Sequence, residues 1–150
     1  LVDALVAASY PDITVLDVSE QALAVVRDRL GDRSSRVTLV HSDLLGWEPG
    51  RTFDVWHDRA LFHFLVDPGL RARYVRVVGQ AVAPGGSVVV ATFAPDGPTH
   101  CSGLPVCRYD GAALADEFGA AFVLVHAERE EHRAPAGVIQ PFTWVVLTRR

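Results

Sequence analysis

The sequence predicts an α/β protein with a mostly parallel sheet that closes in an antiparallel hairpin. Short β-branched runs alternate with segments of helical periodicity along most of the chain, as they do in parallel α/β sheets. Two longer strand-like runs follow near the end, Phe122–His132 and Pro141–Thr148, and Pro135-Ala136-Gly137 between them suits a hairpin connection. The 150 residues are 49% hydrophobic, so we expect one domain over 1–150 with a buried core.

The N-terminal part of the chain is predicted to hold the end of a helix, a strand, a full helix and a second strand: Leu1–Ser9, Ile13–Leu16, Glu20–Leu30 and Val37–Val40. Ser19 is a good N-cap for the full helix, because its hydroxyl can accept from an orphan backbone amide. Gly31 is a good stop for it, because glycine tolerates the backbone conformation of a helix C-terminus.

The later elements follow the same logic. Two further strands are predicted, Phe53–Trp56 and Ser87–Phe93, with a helix between them that begins at Pro68 and ends near Val82. A loop over Ala94–Arg108 and a short helix over Asp110–Phe118 precede the hairpin. The periodicity of the Pro68 helix predicts an inward face of five residues: Leu70, Tyr74, Val77, Val78 and Ala81.

Composition excludes several classes of function. The formal net charge is −4 and the basic residues, all arginine, form no cluster, which argues against a nucleic-acid partner. Apolar runs fall far short of the roughly 20 residues that a membrane span needs, so no membrane association is expected. Two cysteines, Cys101 and Cys107, make no disulfide framework, and a cytoplasmic location is expected. The oligomeric state has no signature in the sequence.

Four motifs in a fixed order carry a resemblance to a known family. They are Thr14-Val15-Leu16-Asp17-Val18-Ser19, His41-Ser42-Asp43-Leu44, Phe53-Asp54-Val55-Trp56-His57-Asp58-Arg59-Ala60 and Val82-Ala83-Pro84-Gly85-Gly86-Ser87-Val88-Val89-Val90. Together with the terminal hairpin they resemble class I S-adenosylmethionine-dependent methyltransferases from the second strand of that fold to its last. The resemblance implies a Rossmann-like sheet whose central first strand and Gly-rich loop, which would precede Leu1, are missing. It therefore also implies that the domain is incomplete at its N-terminus.

The resemblance implies S-adenosyl-L-methionine as the cofactor and assigns residues to its adenosine end. Asp17 would accept both ribose hydroxyls, because two carboxylate oxygens suit two vicinal donors at a strand end. Asp43 would accept from the adenine amine, and Ser42 or Leu44 would supply neighbouring contacts. Val18 would pack on the adenine face. Ordinary capping, turn and core roles are the alternatives for these residues.

Asp58 and His57 end the strand whose tip faces the methyl group in this fold. The resemblance implies that Asp58 borders the methionine part of the cofactor. His57 is a candidate general base, since its ordinary pKa lies near neutrality, and a structural histidine is the equal alternative. Five residues separate Cys101 from Cys107, which is outside the usual spacing of zinc ligands, so no metal is expected.

Methyl transfer to a small-molecule acceptor is the function that these features favour. No nucleophile motif occurs, which fits transfer from an already activated methyl donor. Two alternatives remain open. A fragment of an NAD(P)-binding Rossmann dehydrogenase also carries an acid after its second strand, and a methyltransferase-like domain without catalysis would serve as an interaction partner.

Overall fold

The computed structural model describes residues 1–134 and 137–150, and the chain divides into two compact units, Leu1–Glu48 and Pro49–Arg150. We call them the N-terminal unit and the C-terminal unit. Each combines strands with helices, which confirms the α/β prediction. Of the predicted turn at residues 135–137, the first two residues lie outside the described part of the chain. The assignment of one domain to 1–150 stays a prediction.

The N-terminal unit is a parallel two-stranded sheet with helices. Its elements are α1 (Val2–Ala7), β1 (Ile13–Asp17), α2 (Glu20–Leu30) and β2 (Val37–His41), with 3-10 turns at Gly31–Arg36 and Leu44–Gly46. The register runs from Ile13 opposite Val37 to Asp17 opposite His41. The carboxyl ends of β1 and β2 are therefore level.

Local chemistry explains the limits of α2. The Ser19 hydroxyl accepts from the Ala22 amide at 3.2 Å, and this bond satisfies one orphan donor of the first turn. Gly31 ends the helix at φ 56°, a conformation that other residues rarely adopt. Both predictions are confirmed. A cluster of Val6, Ile13 and Leu30 forms the core of this unit.

The C-terminal unit is built on a four-stranded mixed sheet. Its elements are β3 (Phe53–Arg59), α3 (Pro68–Ala81), β4 (Val82–Phe93), β5 (His100–Cys101), β6 (Leu104–Pro105), α4 (Gly111–Phe118), β7 (Phe122–Arg133) and β8 (Ile139–Arg149), with 3-10 turns at Phe62–Phe64 and Gly119–Ala121. The strand order is β3-β4-β8-β7, with β3 parallel to β4 and the other pairs antiparallel. The predicted terminal hairpin is confirmed.

The strands of this unit depart from prediction at their ends. β3 continues to Arg59, past the predicted end at Trp56, because its pairing with β4 persists as far as Ala91. β4 begins at Val82, so Pro84-Gly85-Gly86 is an irregularity within a strand and not a break before it. A Cβ at Gly86 would lie 2.7 Å from a Val82 methyl, so the backbone passes too close there for another residue.

Helices α3 and α4 cover one face of the four-stranded sheet. Val145 on β8 lies under α4, and Trp56 on β3 bonds Tyr74 of α3, so this side is the helix-covered face. Because side chains alternate along a strand, His57 and Arg59 project from the opposite face. Four of the five predicted inward residues of α3 are buried, but Leu70 is 37% exposed, since the buried face of that helix begins at Tyr74.

Candidate functional site

Asp17 and Asp43 lie at one edge of the sheet of the N-terminal unit. Asp17 is the last residue of β1 and lies opposite His41, the last residue of β2. The Ser42 amide donates to the Asp17 carbonyl at 3.1 Å, so the pairing continues one residue further. Ligands of open α/β sheets bind at the carboxyl ends of parallel strands; Asp17 ends one such strand and Asp43 closely follows the other.

Each of these carboxylates keeps one oxygen available. Asp17 Oδ1 accepts from the Ser19 amide at 2.8 Å, and Asp43 Oδ1 accepts from the Leu45 amide at 2.9 Å. Within residues 1–134 and 137–150 neither Oδ2 has a hydrogen-bond or ion-pair partner. The local bonds orient the two carboxylates, and the remaining oxygens can accept from a ligand.

The residues beside these acids differ in what they expose. The Val18 side chain is 69% exposed. The backbone carbonyl of Val18 accepts a hydrogen bond from His41 Nε2 at 3.0 Å, which links the loop after β1 to the end of β2. Ser42 is half-buried. Leu44 is 8% exposed, so its side chain belongs to the core and only its main chain is left for a ligand.

Asp58 forms its hydrogen bonds within the C-terminal unit. Its carboxylate is buried and accepts from the amides of Leu61 and Phe62 at 3.0 and 3.1 Å and from the Tyr74 hydroxyl at 2.7 Å. Burial raises the pKa of Asp58, and these three bonds oppose that rise. Such contacts favour a structural role in the turn after β3. A role beside the methionine part of a cofactor stays a prediction.

His57 lies one residue earlier on β3 and projects from the opposite face of the sheet. Its ring centre is 6.0 Å from that of Trp144 on β8. Partial desolvation lowers the pKa of His57, and the Arg59 charge adds to this effect. The ring is therefore neutral at neutral pH, the state that a general base requires. Its catalytic role stays a prediction.

The remaining sequence candidates give no metal cluster. Cys101 and Cys107 are both free thiols. No group of three or more His, Cys, Asp or Glu side chains in the described part of the chain is arranged to hold a metal ion. Among the same residues, no helix is long and apolar enough to cross a membrane.

Two features of the C-terminal unit escaped the sequence analysis. His63, in the 3-10 turn after β3, is fully buried, and neither ring nitrogen has a partner among the described residues. Burial lowers the pKa of His63 to about 4, so the ring is neutral. Arg59, in contrast, is exposed and lies over the Phe142 ring. The signal for Arg59 was its position next to Asp58 at a strand end, but periodicity alone does not say what a side chain packs on.

The chain resembles known methyltransferases in sequence pattern and in fold. Residues 2–86 match the family model described as "Methyltransferase domain". Comparison with curated proteins gave no match. Among solved structures, the N-methyltransferase NodS of Bradyrhizobium japonicum WM9, in complex with S-adenosyl-L-homocysteine, has a TM-score of 0.70 at 15% identity, with 91% of this chain and 65% of that chain covered.

Two further structures cover almost the whole chain. The 1,6-didemethyltoxoflavin-N1-methyltransferase of Burkholderia thailandensis, with bound 1,6-didemethyltoxoflavin and S-adenosylhomocysteine, has a TM-score of 0.76 at 19% identity, with 99% of this chain and 65% of that chain covered. A SAM-dependent methyltransferase of Methanosarcina mazei has a TM-score of 0.75 at 12% identity, with 99% and 86% covered.

These likenesses confirm the Rossmann-like methyltransferase fold that the motifs predicted. The chain spans slightly less than two thirds of the length of NodS and of the toxoflavin enzyme. The family model covers more than half of the chain, including both acids at the ends of β1 and β2. The chain therefore belongs to the methyltransferase domain family.

Proposed function

We propose that this chain binds S-adenosylmethionine and forms part of an enzyme that transfers its methyl group to a small-molecule acceptor. The observation that carries the proposal is the pair Asp17 and Asp43, which follow level ends of parallel strands and each keep an available carboxylate oxygen. Two similar structures, NodS and the toxoflavin methyltransferase, hold S-adenosylhomocysteine, the product of such a cofactor.

The chemistry of this edge fits an adenosine. A ribose offers two vicinal hydroxyl donors, and a carboxylate such as that of Asp17 is the acceptor that suits them. An adenine offers an exocyclic amine, which can donate a hydrogen bond to Asp43, and an apolar face, which the exposed Val18 side chain can cover. Ser42 and the main chain of Leu44 border the same position. We propose all five residues as cofactor contacts.

When bound, S-adenosylmethionine supplies an activated methyl group, so the protein mainly needs to align the acceptor and exclude water. His57 would take a proton where the acceptor must lose one, because its lowered pKa leaves a free nitrogen lone pair at neutral pH. Asp58 would support this part of the chain by holding the turn after β3 through its three hydrogen bonds.

A small molecule is the acceptor class that we propose. The net charge of −4 and the scattered arginines do not provide the clustered positive charge that nucleic acids require. The Burkholderia enzyme of similar fold holds a small heterocycle, 1,6-didemethyltoxoflavin. A cytoplasmic location and the lack of a membrane partner remain part of the same proposal.

Thermal unfolding with competing cofactors tests the proposal. The gene product that carries this chain, at its full encoded length, would be heated with S-adenosylhomocysteine or with NAD. We expect S-adenosylhomocysteine to raise Tm, because a ligand present at 100 times its Kd stabilises by about 2.7 kcal/mol. Stabilisation by NAD alone would establish the dehydrogenase alternative. A folded protein that binds neither compound would be the interaction domain.

A further inference from the structure

Arg59 presents a cation that no described residue neutralises. It is the last residue of β3 and is exposed to solvent. Its guanidinium carbon lies 4.5 Å from the centre of the Phe142 ring. Within the described parts of the chain the guanidinium has no hydrogen-bond or ion-pair partner. All five of its N–H donors are therefore available.

Other arginines of the C-terminal unit are matched to acceptors. Arg71 pairs with Glu117 at 2.9 Å, and Arg108 donates to the Gly97 carbonyl at 3.1 Å. Arg129 pairs with Asp96 and with Glu131, both at 2.7 Å. Arg59 thus differs from these three in having no acceptor for its guanidinium among the described residues.

The ring beneath Arg59 is fixed. Phe142 is 2% exposed and packs against Phe93, with ring centres 4.9 Å apart, and against His132 at 5.9 Å. A guanidinium stacked on an immobile ring is itself restricted, so it loses less conformational entropy when it binds an anion. The structure therefore presents the cation in a defined place.

The aromatic rings of His57 and Trp144 lie on the same face of the sheet as this cation. Arg59 lies opposite Ala91 of β4, and Ala91 lies opposite Trp144 of β8, so the three side chains project from one face of the sheet. Adjacent strands are about 4.8 Å apart, which separates the β3 and β8 backbones by about 10 Å. The rings of His57 and Trp144 are nevertheless 6.0 Å apart, so they converge over β4.

The orientation of the Trp144 indole is also set. Its Nε1 donates to Glu130 Oε2 at 2.6 Å, and the other oxygen of that carboxylate lies 3.5 Å from His132 Nδ1. Glu130 is thus engaged by Trp144 and His132, and no ion pair joins it to Arg59. The indole itself is half-buried, and part of its surface remains open.

These residues lie at the edge of the sheet where open α/β folds bind their ligands. Arg59 ends β3, and Phe142 lies opposite Phe93, which ends β4, so the cluster occupies the carboxyl ends of two parallel strands. A planar ring suits the indole surface, and a carboxylate suits the two-pronged donor geometry of an arginine. His57 borders the same surface.

We propose that Arg59, Trp144 and His57 form the acceptor-binding surface, which selects a planar aromatic acceptor that carries a carboxylate. This inference rests on the proposed methyltransferase function. Arg59 binds the carboxylate through paired N–H donors, and Trp144 stacks on the ring of the acceptor. His57 lies beside that ring and is placed to take the proton of a ring hydroxyl, which that oxygen must lose when it gains the methyl group.

Matched pairs of probes test the inference. Hydroxybenzoate and hydroxyquinoline carboxylate would be titrated against their neutral carboxamides by calorimetry, with the full-length gene product saturated with S-adenosylhomocysteine. We expect the carboxylates to bind about tenfold more tightly than the carboxamides, because a two-pronged bond between a guanidinium and a carboxylate is stronger than one to a neutral amide. Arg59→Gln should abolish that preference, and Arg59→Lys should restore only part of it, because lysine lacks the planar fork.

Controls separate the possible failures. Arg76→Gln, at an exposed position on α3, should keep the full preference. Trp144→Leu should weaken carboxylates and carboxamides to the same degree, which distinguishes stacking from charge. Equal binding of both probe types, no binding of either, or a preference that survives Arg59→Gln would overturn the inference while S-adenosylhomocysteine still binds. Failure of the wild-type protein to bind S-adenosylhomocysteine would instead overturn the proposed function.

Discussion

Removing the Tyr74 hydroxyl should destabilise the C-terminal unit strongly. That hydroxyl donates to Asp58 Oδ2 at 2.7 Å and accepts from Trp56 Nε1 at 3.0 Å, and Tyr74 has no solvent exposure. A hydrogen bond to a charged group contributes about 1.5–3 kcal/mol and a neutral one about 1 kcal/mol. Tyr74→Phe keeps the ring and its packing, so we expect a loss of about 2–4 kcal/mol in the free energy of unfolding.

Urea unfolding monitored by tryptophan fluorescence measures this loss, because Trp56 and Trp144 both lie in the C-terminal unit. Thermal unfolding should show a fall in Tm of roughly 5–15 °C, since 1 kcal/mol shifts the Tm of a chain of this size by about 2–4 °C. Tyr10→Phe is the matched control, because Tyr10 is 54% exposed, and it should change stability by less than about 0.5 kcal/mol. Equal stability of the two variants would refute the assigned role of the Tyr74–Asp58 bond.

Three further outcomes follow from the structure. Burial raises the pKa of Asp58, so the stability that this raised pKa contributes is fully present below about pH 3.9, the pKa of an ordinary aspartate, and is lost as pH rises through the folded-state pKa. The difference in urea midpoint between wild type and Asp58→Asn should therefore fall as pH rises from the first of these values through the second, and a constant difference would contradict this. Desolvation lowers the pKa of His57, so NMR titration of Trp144→Ala, which removes the neighbouring indole, should show the pKa rising toward about 6.5; no change would assign the desolvation to other groups. Gly31→Ala, at φ 56°, should cost about 1–2 kcal/mol in urea unfolding, whereas Gly79→Ala within α3 has open space and should stabilise by about 0.5–1 kcal/mol; the same sign for both would be inconsistent with the backbone argument.

Sequence patterns predicted the elements well where local chemistry decides them. The Ser19 cap, the stop at Gly31 and the start of α3 at Pro68 depend on neighbouring residues only, and each lies where the sequence predicted. The strands of the terminal hairpin were also predicted, because β-branched and aromatic residues fill most positions from Phe142 to Thr148 and begin β7 at Phe122 and Val123.

Strand ends and pairing were predicted less well, because distant partners decide them. β3 extends to Arg59 only because β4 offers pairing as far as Ala91. The β4 residues that pair with the end of β3 lie about thirty positions further along the chain. The end of β4 also pairs with residue 108 across a loop that contains the small β5–β6 hairpin.

The candidate site divides in the same way. A family resemblance was enough to single out Asp17 and Asp43, since strand-end acids have a fixed position in the fold. It was not enough to show that Asp58 is held by Tyr74, whose hydroxyl lies sixteen positions further along the chain. Nor could it show that Arg59 stacks on Phe142, because that contact joins the ends of two strands that are remote in sequence.

Calorimetric titration of S-adenosylhomocysteine into the full-length gene product tests the central claim most directly. Asp17→Asn and Asp43→Asn would be compared with Asp28→Asn, an exposed aspartate of α2. We predict that Asp17→Asn raises Kd by about 10–100-fold, because it weakens bonds to a charged acceptor worth about 1.5–3 kcal/mol, and that Asp43→Asn raises it less. Asp28→Asn should leave Kd within about twofold. Unchanged affinity in the Asp17→Asn variant would contradict the assignment of this edge to the adenosine of the cofactor.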